Sequence, residues 1–378
     1  MGEPIEYEQE SKYKDVLSQK AIAGQVLENC TISDSRHAGL YSICGLALRL
    51  RDLYKWENGL DPWVEKDSSE ILEWIGEKEE KWEDLAEEEF RDLIILDQPY
   101  DPFETKEINA ILEPQDLIYG AGYVHSLKPT FFLAILEEKR EINGHPVFIL
   151  GRELARDLFT VPALSQDDGI LVRKESAKLF LWDQIFHVKK SGREALSFAL
   201  EALGLSLQDT KALHQNLEKI FKAEIETYIY HELGEIEDTV FDRDIWRKII
   251  GTFPHTPIEH LVRAVKDFLA DTKENGTLRF IISERNKTSL GLYVAFIDGL
   301  RKELFPELIE AFSKFIQTRD WKIIEEAVSV GSNNAHNYVE TIIKIYRSGK
   351  EKNDMTWTKN EIENKLLSQL GVMKGRAG

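Results

Sequence analysis

The chain of 378 residues is long enough for two or three domains, each able to bury a hydrophobic core without disulfides. Its hydrophobic fraction of 42% and charged fraction of 30% are those of a folded globular protein and argue against intrinsic disorder. A net charge of -19 argues against broad contact with nucleic acid or anionic lipid, because such contact requires an excess of Lys and Arg.

Cysteine usage and the N-terminal sequence predict a cytoplasmic protein. Cys30 and Cys44 belong to no Cys-x-x-Cys pair and to no zinc-site spacing, so we expect two buried free thiols in a reducing compartment. The first residues lack the basic and apolar regions of a signal peptide, and no apolar stretch is long enough to span a membrane. We therefore expect no membrane association.

The chain opens with helices. Apolar residues at helical spacing predict a first helix over residues 13–29. Ser33 or Asp34 is expected to cap a second helix that ends near residue 56. After a break at residues 59–62, the pattern predicts a third helix from Ser68 or Ser69.

The third helix lies in an acidic segment. Between Glu57 and Asp92, fifteen Asp or Glu residues stand against four Lys or Arg. Such a surface either keeps the protein in solution or faces a basic protein partner.

Short apolar runs separated by prolines predict a β-containing region after residue 90. Residues 130–136 and 147–150 flank Asn143-Gly144, a dipeptide that favours the positive φ angles of a type I′ turn. The sequence therefore predicts a β-hairpin. Residues 169–172 are predicted to add a strand, and residues 151–159 to form a short surface helix.

Beyond Gly192 the helical pattern persists to the end of the chain. The sequence favours a mainly α fold with a small β-hairpin-containing α+β region and a C-terminal helical bundle. We place an N-terminal α+β domain at 1–190, a C-terminal helical domain at 191–349, and a linker with a C-terminal helix at 350–378. Predicted helices of the second half cover residues 206–237, 289–304, 306–317, 321–328 and 333–346.

Two capping motifs mark helix starts in this half. Thr256-Pro257-Ile258-Glu259 combines a capping Thr, a Pro at the first helical position and a Glu at the third. Thr358-x-x-Glu361 is expected to cap the last helix. That helix either packs on its own chain or binds a partner.

His231 and Glu235 are candidate metal ligands, because residues four apart share one face of a helix. The usual Glu-x-x-His of di-iron bundles is incomplete, since Tyr228 stands three residues before His231. Glu235 also occupies the place of the second His in a His-Glu-x-x-His zinc motif. The alternative is a solvated polar face with a His–Glu contact inside the helix.

A second His-x-x-x-Glu pair, His336 and Glu340, lies in a later predicted helix. Two such pairs facing each other would supply four ligands to one divalent metal ion. Glu224 and Tyr228 continue the stripe of His231 and would lie beside such a site.

A dense set of polar residues, His37, Arg49, Arg51 and Asp52, interrupts an otherwise apolar helix. Buried Arg–Asp pairing explains it structurally, and an anion pocket explains it functionally. The sequence contains no P-loop or nucleophile elbow, and Gly120-Ala121-Gly122 is too short for a dinucleotide fingerprint.

Several stretches together resemble an uncharacterised bacterial protein family without an assigned activity. The most specific is the run from Cys44 to Glu57, which includes Arg-Asp-Leu-Tyr-Lys-Trp. The others are Arg36-His37-Ala38-Gly39, Tyr100-Asp101-Pro102-Phe103, Tyr119-Gly120-Ala121-Gly122-Tyr123 and Gly151-Arg152-Glu153. The resemblance spans most of the first half of the chain and implies no catalytic residues.

Two functions of different classes follow from these observations. One is a non-catalytic interaction protein that uses its acidic helical surfaces against a basic partner. The other is a metal-dependent helical-bundle enzyme that acts on a small substrate with iron, manganese or zinc. Catalytic residues and the oligomeric state stay open at this point.

Overall fold

The computed structural model describes residues 19–124 and 127–371. The protein is mainly helical and divides into two compact units, Met1–Trp182 and Asp183–Gly378. A five-stranded sheet in the first unit and helices throughout the second confirm the predicted fold class. None of the described helices is long and apolar enough to cross a membrane.

The first unit is built from helices around a sheet. The helices are α1 (Gln19–His37), α2 (Ile43–Glu57), α3 (Ser68–Leu85), α4 (Thr105–Leu112) and, at its end, α5 (Lys174–Phe186). The strands are β1 (Leu93–Ile95), β2 (Gln98–Tyr100), β3 (Leu117–Tyr123), β4 (Pro129–Ile142), β5 (His145–Arg156), β6 (Ala163–Gln166) and β7 (Gly169–Arg173).

The five-stranded sheet has the order β3-β4-β5-β7-β6. Strand β5 pairs with β7 in parallel, and the other neighbours are antiparallel. Strands β1 and β2 form a separate two-stranded sheet. A description of the whole chain as an all-α bundle would therefore be wrong, because the first unit contains this five-stranded sheet.

The predicted hairpin is confirmed. Strands β4 and β5 are joined at Asn143 and Gly144, whose φ angles are 51° and 82°. A type I′ turn needs positive φ at both central residues, which Asn and Gly adopt at little cost. The predicted strand at residues 169–172 is confirmed as β7.

The predicted helix over residues 151–159 is wrong, because strand β5 continues to Arg156. Irregularities in the β4–β5 register between Leu133 and Glu138 let the strand bend and continue pairing. Glu153 and Arg156 are buried instead of lying on a helix surface, and the Glu153 carboxylate lies 2.9 Å from the Arg173 guanidinium. The ion pair with Arg173 compensates for the burial of the Glu153 charge within the strand.

The predicted cap at Ser33 or Asp34 is also wrong. Both residues lie inside α1, and α2 is capped by Ser42, which accepts a hydrogen bond from the Gly45 amide. Ser33 instead donates to the carbonyl of Pro129, so this face of α1 is bound to the sheet. The part of the first predicted helix before Gln19 lies outside the described residues.

Helix α1 covers one face of the sheet. Its buried Ile22, Val26 and Cys30 share a core cluster with Tyr119 and Phe131. The prediction of two buried thiols is confirmed for Cys30 and wrong for Cys44, which is exposed.

The second unit is helical throughout its described part. Its helices are α6 (Arg193–Ala202), α7 (Thr210–Gln215), α8 (Leu217–Ile236), α9 (Arg243–Thr252), α10 (Pro257–Thr272), α11 (Thr277–Ser283), α12 (Lys287–Phe296), α13 (Gly299–Leu304), α14 (Pro306–Thr318), α15 (Trp321–Glu351) and α16 (Met355–Ile362). The predicted start of α10 is confirmed, with Thr256 as its cap and Pro257 at its first position. The two helices predicted over residues 321–328 and 333–346 form a single helix, α15. The single helix predicted over residues 206–237 is divided into α7 and α8.

Helix α16 packs on its own chain. It contacts α15, and a Cβ added at Gly349 would collide with Thr358. Its cap is Asp354, which accepts from the Trp357 amide, so the predicted cap at Thr358 is wrong. Thr358 is buried against α15 instead.

Helices α8 and α10 approach each other closely. A Cβ added at Gly234 would lie 2.4 Å from the carbonyl oxygen of Ala270, so only glycine fits there. This approach brings the polar face of α8 against the last two turns of α10.

Candidate metal centre

Three potential metal ligands converge where α8 meets α10. His231 and Glu235 project from consecutive turns of α8, and Asp267 projects from α10. One ligand atom from each lies within 4.8 Å of the other two, and all three side chains are partly buried. Across residues 19–124 and 127–371, this is the only such group of three.

Asp271 orients the imidazole of His231. The Nδ1 atom of His231 lies 2.8 Å from Oδ1 of Asp271, one turn after Asp267 on α10. The opposite ring nitrogen, Nε2, lies 3.8 Å from Oε1 of Glu235. Metal-bound histidines characteristically donate their second ring N–H to a carboxylate in this way, so Nε2 is the free ligand atom.

Asp271 is itself held by two further groups. Tyr293 of α12 donates its hydroxyl hydrogen to Oδ2 over 2.7 Å, and Arg301 of α13 donates to the same oxygen over 2.7 Å. The carboxylate is buried, and burial alone would raise its pKa. The charges of His231 and Arg301 outweigh burial and lower the pKa of Asp271 to about 2.

The protonation of His231 follows from this pairing. Burial would lower the pKa of the imidazole, but the adjacent Asp271 carboxylate raises it to about 10. His231 is therefore a cation at neutral pH in the metal-free protein. A metal ion would have to displace the proton on Nε2.

Excess negative charge surrounds the three ligands. Glu235 forms an ion pair with Lys266, which lowers the pKa of Glu235 against the opposing effect of burial. Burial and the charge of Glu235 raise the pKa of Glu232 to about 7, and burial also raises the pKa of Asp267. Burial thus favours the protonated forms of Glu232 and Asp267, and a bound divalent cation would favour their ionised forms.

The structure does not bring the second predicted pair into this group. His336 and Glu340 lie on α15, and Nδ1 of His336 lies 2.7 Å from the carbonyl oxygen of Ser332 in its own helix. Helix α10 contacts both α8 and α15, and its Asp267 completes the group in their place.

Glu224, which was expected beside the site, is buried two turns before His231. The hydroxyl of Thr227 donates to its Oε2 over 2.8 Å, and Oε1 has no hydrogen-bond partner among the described residues. Burial raises the pKa of Glu224 to about 7. Tyr228 has its pKa raised by burial and by Glu224.

The polar set of α1 and α2 is divided among separate partners. Nδ1 of His37 lies 2.8 Å from the Ser33 carbonyl, and Arg49 donates to the hydroxyl of Thr160 over 2.8 Å. Arg51 lies 3.5 Å from the buried carboxylate of Asp52. The structure thus contains an Arg–Asp pair at the position where the sequence left pairing and an anion pocket open.

Asp267, Asp271 and Arg301 were not among the predicted site residues. A usable signal existed in the run from Val265 to Asp271, where Asp267 and Asp271 stand one turn apart on a helix with apolar residues between them. A buried ion cluster in the first unit was not predicted either: Lys128 lies 3.1 Å from Asp34 and 2.9 Å from Asp157.

Comparison with known families covers both halves of the chain. Neither the curated proteins nor the solved structures contain a match. The N-terminal domain of the family of unknown function DUF6866 matches residues 21–173, and the C-terminal domain of the same family matches residues 178–365. The chain therefore belongs to the DUF6866 family, with both of its domains present in order.

Proposed function

We propose that the helical unit binds one divalent metal ion through His231, Glu235 and Asp267, and that the protein is a metal-dependent enzyme acting on a small substrate. The observation that carries this proposal is the convergence of an imidazole nitrogen and two carboxylate oxygens within 4.8 Å. Such a mixed nitrogen and oxygen set suits zinc, iron and manganese.

The surroundings of the three ligands support a metal site over a plain ion-pair network. Asp271 fixes one nitrogen of His231 and leaves Nε2 for the ion, and Tyr293 and Arg301 hold Asp271 in turn. This second layer of contacts orients a ligand before the ion arrives. Without a metal ion, the ammonium group of Lys266 balances part of the negative charge, since it pairs with Glu235.

The number of ligands supports an enzyme. Structural zinc sites are closed by four protein ligands, whereas catalytic sites keep a position for water or substrate. Three protein ligands leave such positions open. A bound ion there would polarise a substrate oxygen or lower the pKa of a coordinated water.

Metal binding by the full-length protein tests the proposal. After treatment with a chelator, titration with Mn²⁺, Zn²⁺ and, without oxygen, Fe²⁺ should give about one bound ion per chain. His231→Ala and the nearly isosteric Asp267→Asn should each weaken binding by at least about tenfold. Circular dichroism should show that each variant is folded.

The second His-x-x-x-Glu pair provides a matched control. The double variant His336→Ala, Glu340→Gln removes the same two residue types from α15 and should bind the ion like the wild type. The proposed metal site would be refuted if the wild type bound no ion, or if all variants bound the ion as tightly as the wild type. The proposed enzymatic activity is tested with chromogenic esters and phosphate esters. We expect metal-dependent turnover by the wild type and its loss in Asp267→Asn.

A further inference from the structure

A groove runs between α1 and α3 in the first unit, far along the chain from the proposed metal ligands. Its volume is about 400 Å³. The residues that define its two walls are Gly24, Leu27 and Thr31 on α1, and Lys81, Asp84 and Leu85 on α3. Arg91 and Glu28 form an ion pair of 2.9 Å at the groove, with about half of each side chain exposed.

One wall of the groove contains a residue without a side chain. Gly24 lies in the middle of α1, and a Cβ added there would meet no atom within 4 Å. Glycine in a helix costs about 1 kcal/mol relative to alanine, so its presence calls for a reason. Here neither a tight turn nor close backbone packing requires it. What Gly24 does is leave space beside Leu27 and Leu85.

Helix α3 presents an unusual number of carboxylates without partners. Within the described residues, six exposed acidic side chains of α3 form neither an ion pair nor a hydrogen bond: Glu73, Glu77, Glu79, Glu80, Glu83 and Asp84. Two lysines belong to the same helix, and one of them, Lys78, already pairs with Glu57. Of these six, Asp84 lines the groove together with Lys81, and the other five belong to the rest of α3.

We infer that this groove is the docking site of a basic amphipathic helix from a partner protein. Apolar side chains of that helix would enter the groove against Leu27 and Leu85, as in other helix-in-groove complexes. Its Lys and Arg residues would face the unpaired carboxylates of α3, which raises the association rate and selects against acidic partners. This inference does not depend on the metal site, which lies in the other unit.

A synthetic peptide of leucine and lysine is a direct probe. Leucines at every third and fourth position give it one apolar face, and a scrambled peptide of the same composition has none. Fluorescence anisotropy with the full-length protein should show binding of the amphipathic peptide at least about tenfold tighter than of the scrambled one. Binding of both peptides with equal affinity would show charge attraction alone and overturn the inference.

Two glycine variants separate the groove from the charge. Gly24→Leu fills the groove and should weaken peptide binding by at least about tenfold. Gly76→Leu is the matched control, because Gly76 lies on acidic α3, does not line the groove, and also has no atom within 4 Å of an added Cβ. Both variants replace a helical glycine, so both should retain the fold. Equal binding by wild type, Gly24→Leu and Gly76→Leu would also overturn the inference.

Neutral substitutions of nearly the same size test the contribution of the α3 carboxylates. The triple variant Glu77→Gln, Glu80→Gln, Asp84→Asn should bind the amphipathic peptide more weakly at low salt. Its affinity should also depend less on salt than that of the wild type. A triple variant with unchanged affinity and unchanged salt dependence would contradict the charge component of the docking site.

Discussion

Nδ1 of His231 lies 2.8 Å from Oδ1 of Asp271, and this contact links the protonation of the site to its ability to bind metal. Asp271 keeps the imidazole charged at neutral pH while presenting Nε2 towards Glu235 and Asp267. The same carboxylate that orients a metal ligand through Nδ1 thus also favours, through its charge, the protonated Nε2 that a metal must deprotonate.

Metal binding should release a proton. Because the pKa of His231 is about 10, nearly every imidazole carries a proton at pH 8 that the ion must displace. We expect about one proton released per ion at pH 8 and an affinity that rises roughly tenfold per pH unit up to pH 9. Calorimetric titration in buffers of different ionisation enthalpy measures this number, and a binding enthalpy independent of the buffer would contradict it.

Asp271→Asn should remove a pH-dependent part of the stability. The pKa of His231 in the fold, about 10, lies above its ordinary value of about 6.5. The pairing therefore stabilises the fold fully below about pH 6.5 and is lost as the pH rises through about 10. We expect the variant to be less stable by about 3 kcal/mol at pH 6, with a smaller difference at pH 10.

Urea unfolding at several pH values measures this difference between wild type and variant. Asp298→Asn serves as the control, since the exposed carboxylate of Asp298 pairs with Lys189 and not with His231. A difference that stays constant between pH 6 and pH 10 would show that the His231–Asp271 pairing does not cause it.

Gly234→Ala should disturb the site by separating its two helices. The new methyl group would lie 2.4 Å from the backbone oxygen of Ala270, which cannot move without shifting α10. Overpacking of this kind costs about 1–3 kcal/mol, and we expect weaker metal binding as well. Thermal unfolding and metal titration measure both effects. Gly251→Ala is the control, because a Cβ there meets nothing within 4 Å, and it should leave metal binding unchanged and not lower the stability.

Lys128→Met should destabilise the first unit strongly. The ammonium of Lys128 is buried between Asp34 and Asp157, and its removal leaves two buried carboxylates without their shared cation. Loss of one partner of a buried ion pair costs about 3–5 kcal/mol. The control Lys139→Met breaks an exposed pair with Glu113 and should cost less than about 1 kcal/mol. Chemical denaturation with equal losses for both variants would refute the structural role of Lys128.

The fold could be predicted where the signal is local. Asn143-Gly144 and Thr256-Pro257 determine a turn and a helix start through backbone preferences, and both occur as expected. The stretch after Leu150 was misassigned because Glu153 and Arg156 have the spacing of a helical surface pair. Their burial depends on Arg173, which arrives through strand pairing that periodicity cannot detect.

The candidate site shows the same limit. The spacing of His231 and Glu235 on one helix face is a local property and could be predicted from the sequence. Their partner could not be chosen from the sequence, because the spacing within α8 does not reveal whether α10 or α15 packs against this face. The contact between α8 and α10 at Gly234 decides it.

Glu224→Gln should stabilise the protein at alkaline pH. Burial raises the pKa of Glu224 to about 7, above its ordinary value of about 4.3, so the fold favours the protonated form. The stability of the wild type should therefore fall as the pH rises from about 4.3 to about 7, because ionisation is easier in the unfolded chain. The variant lacks this loss and should be more stable at pH 8 by up to about 3 kcal/mol, but not at pH 4. Urea midpoints at both values measure it, with the exposed Glu340→Gln as control. A gain that is equal at pH 4 and pH 8 would mean that ionisation of Glu224 is not its cause.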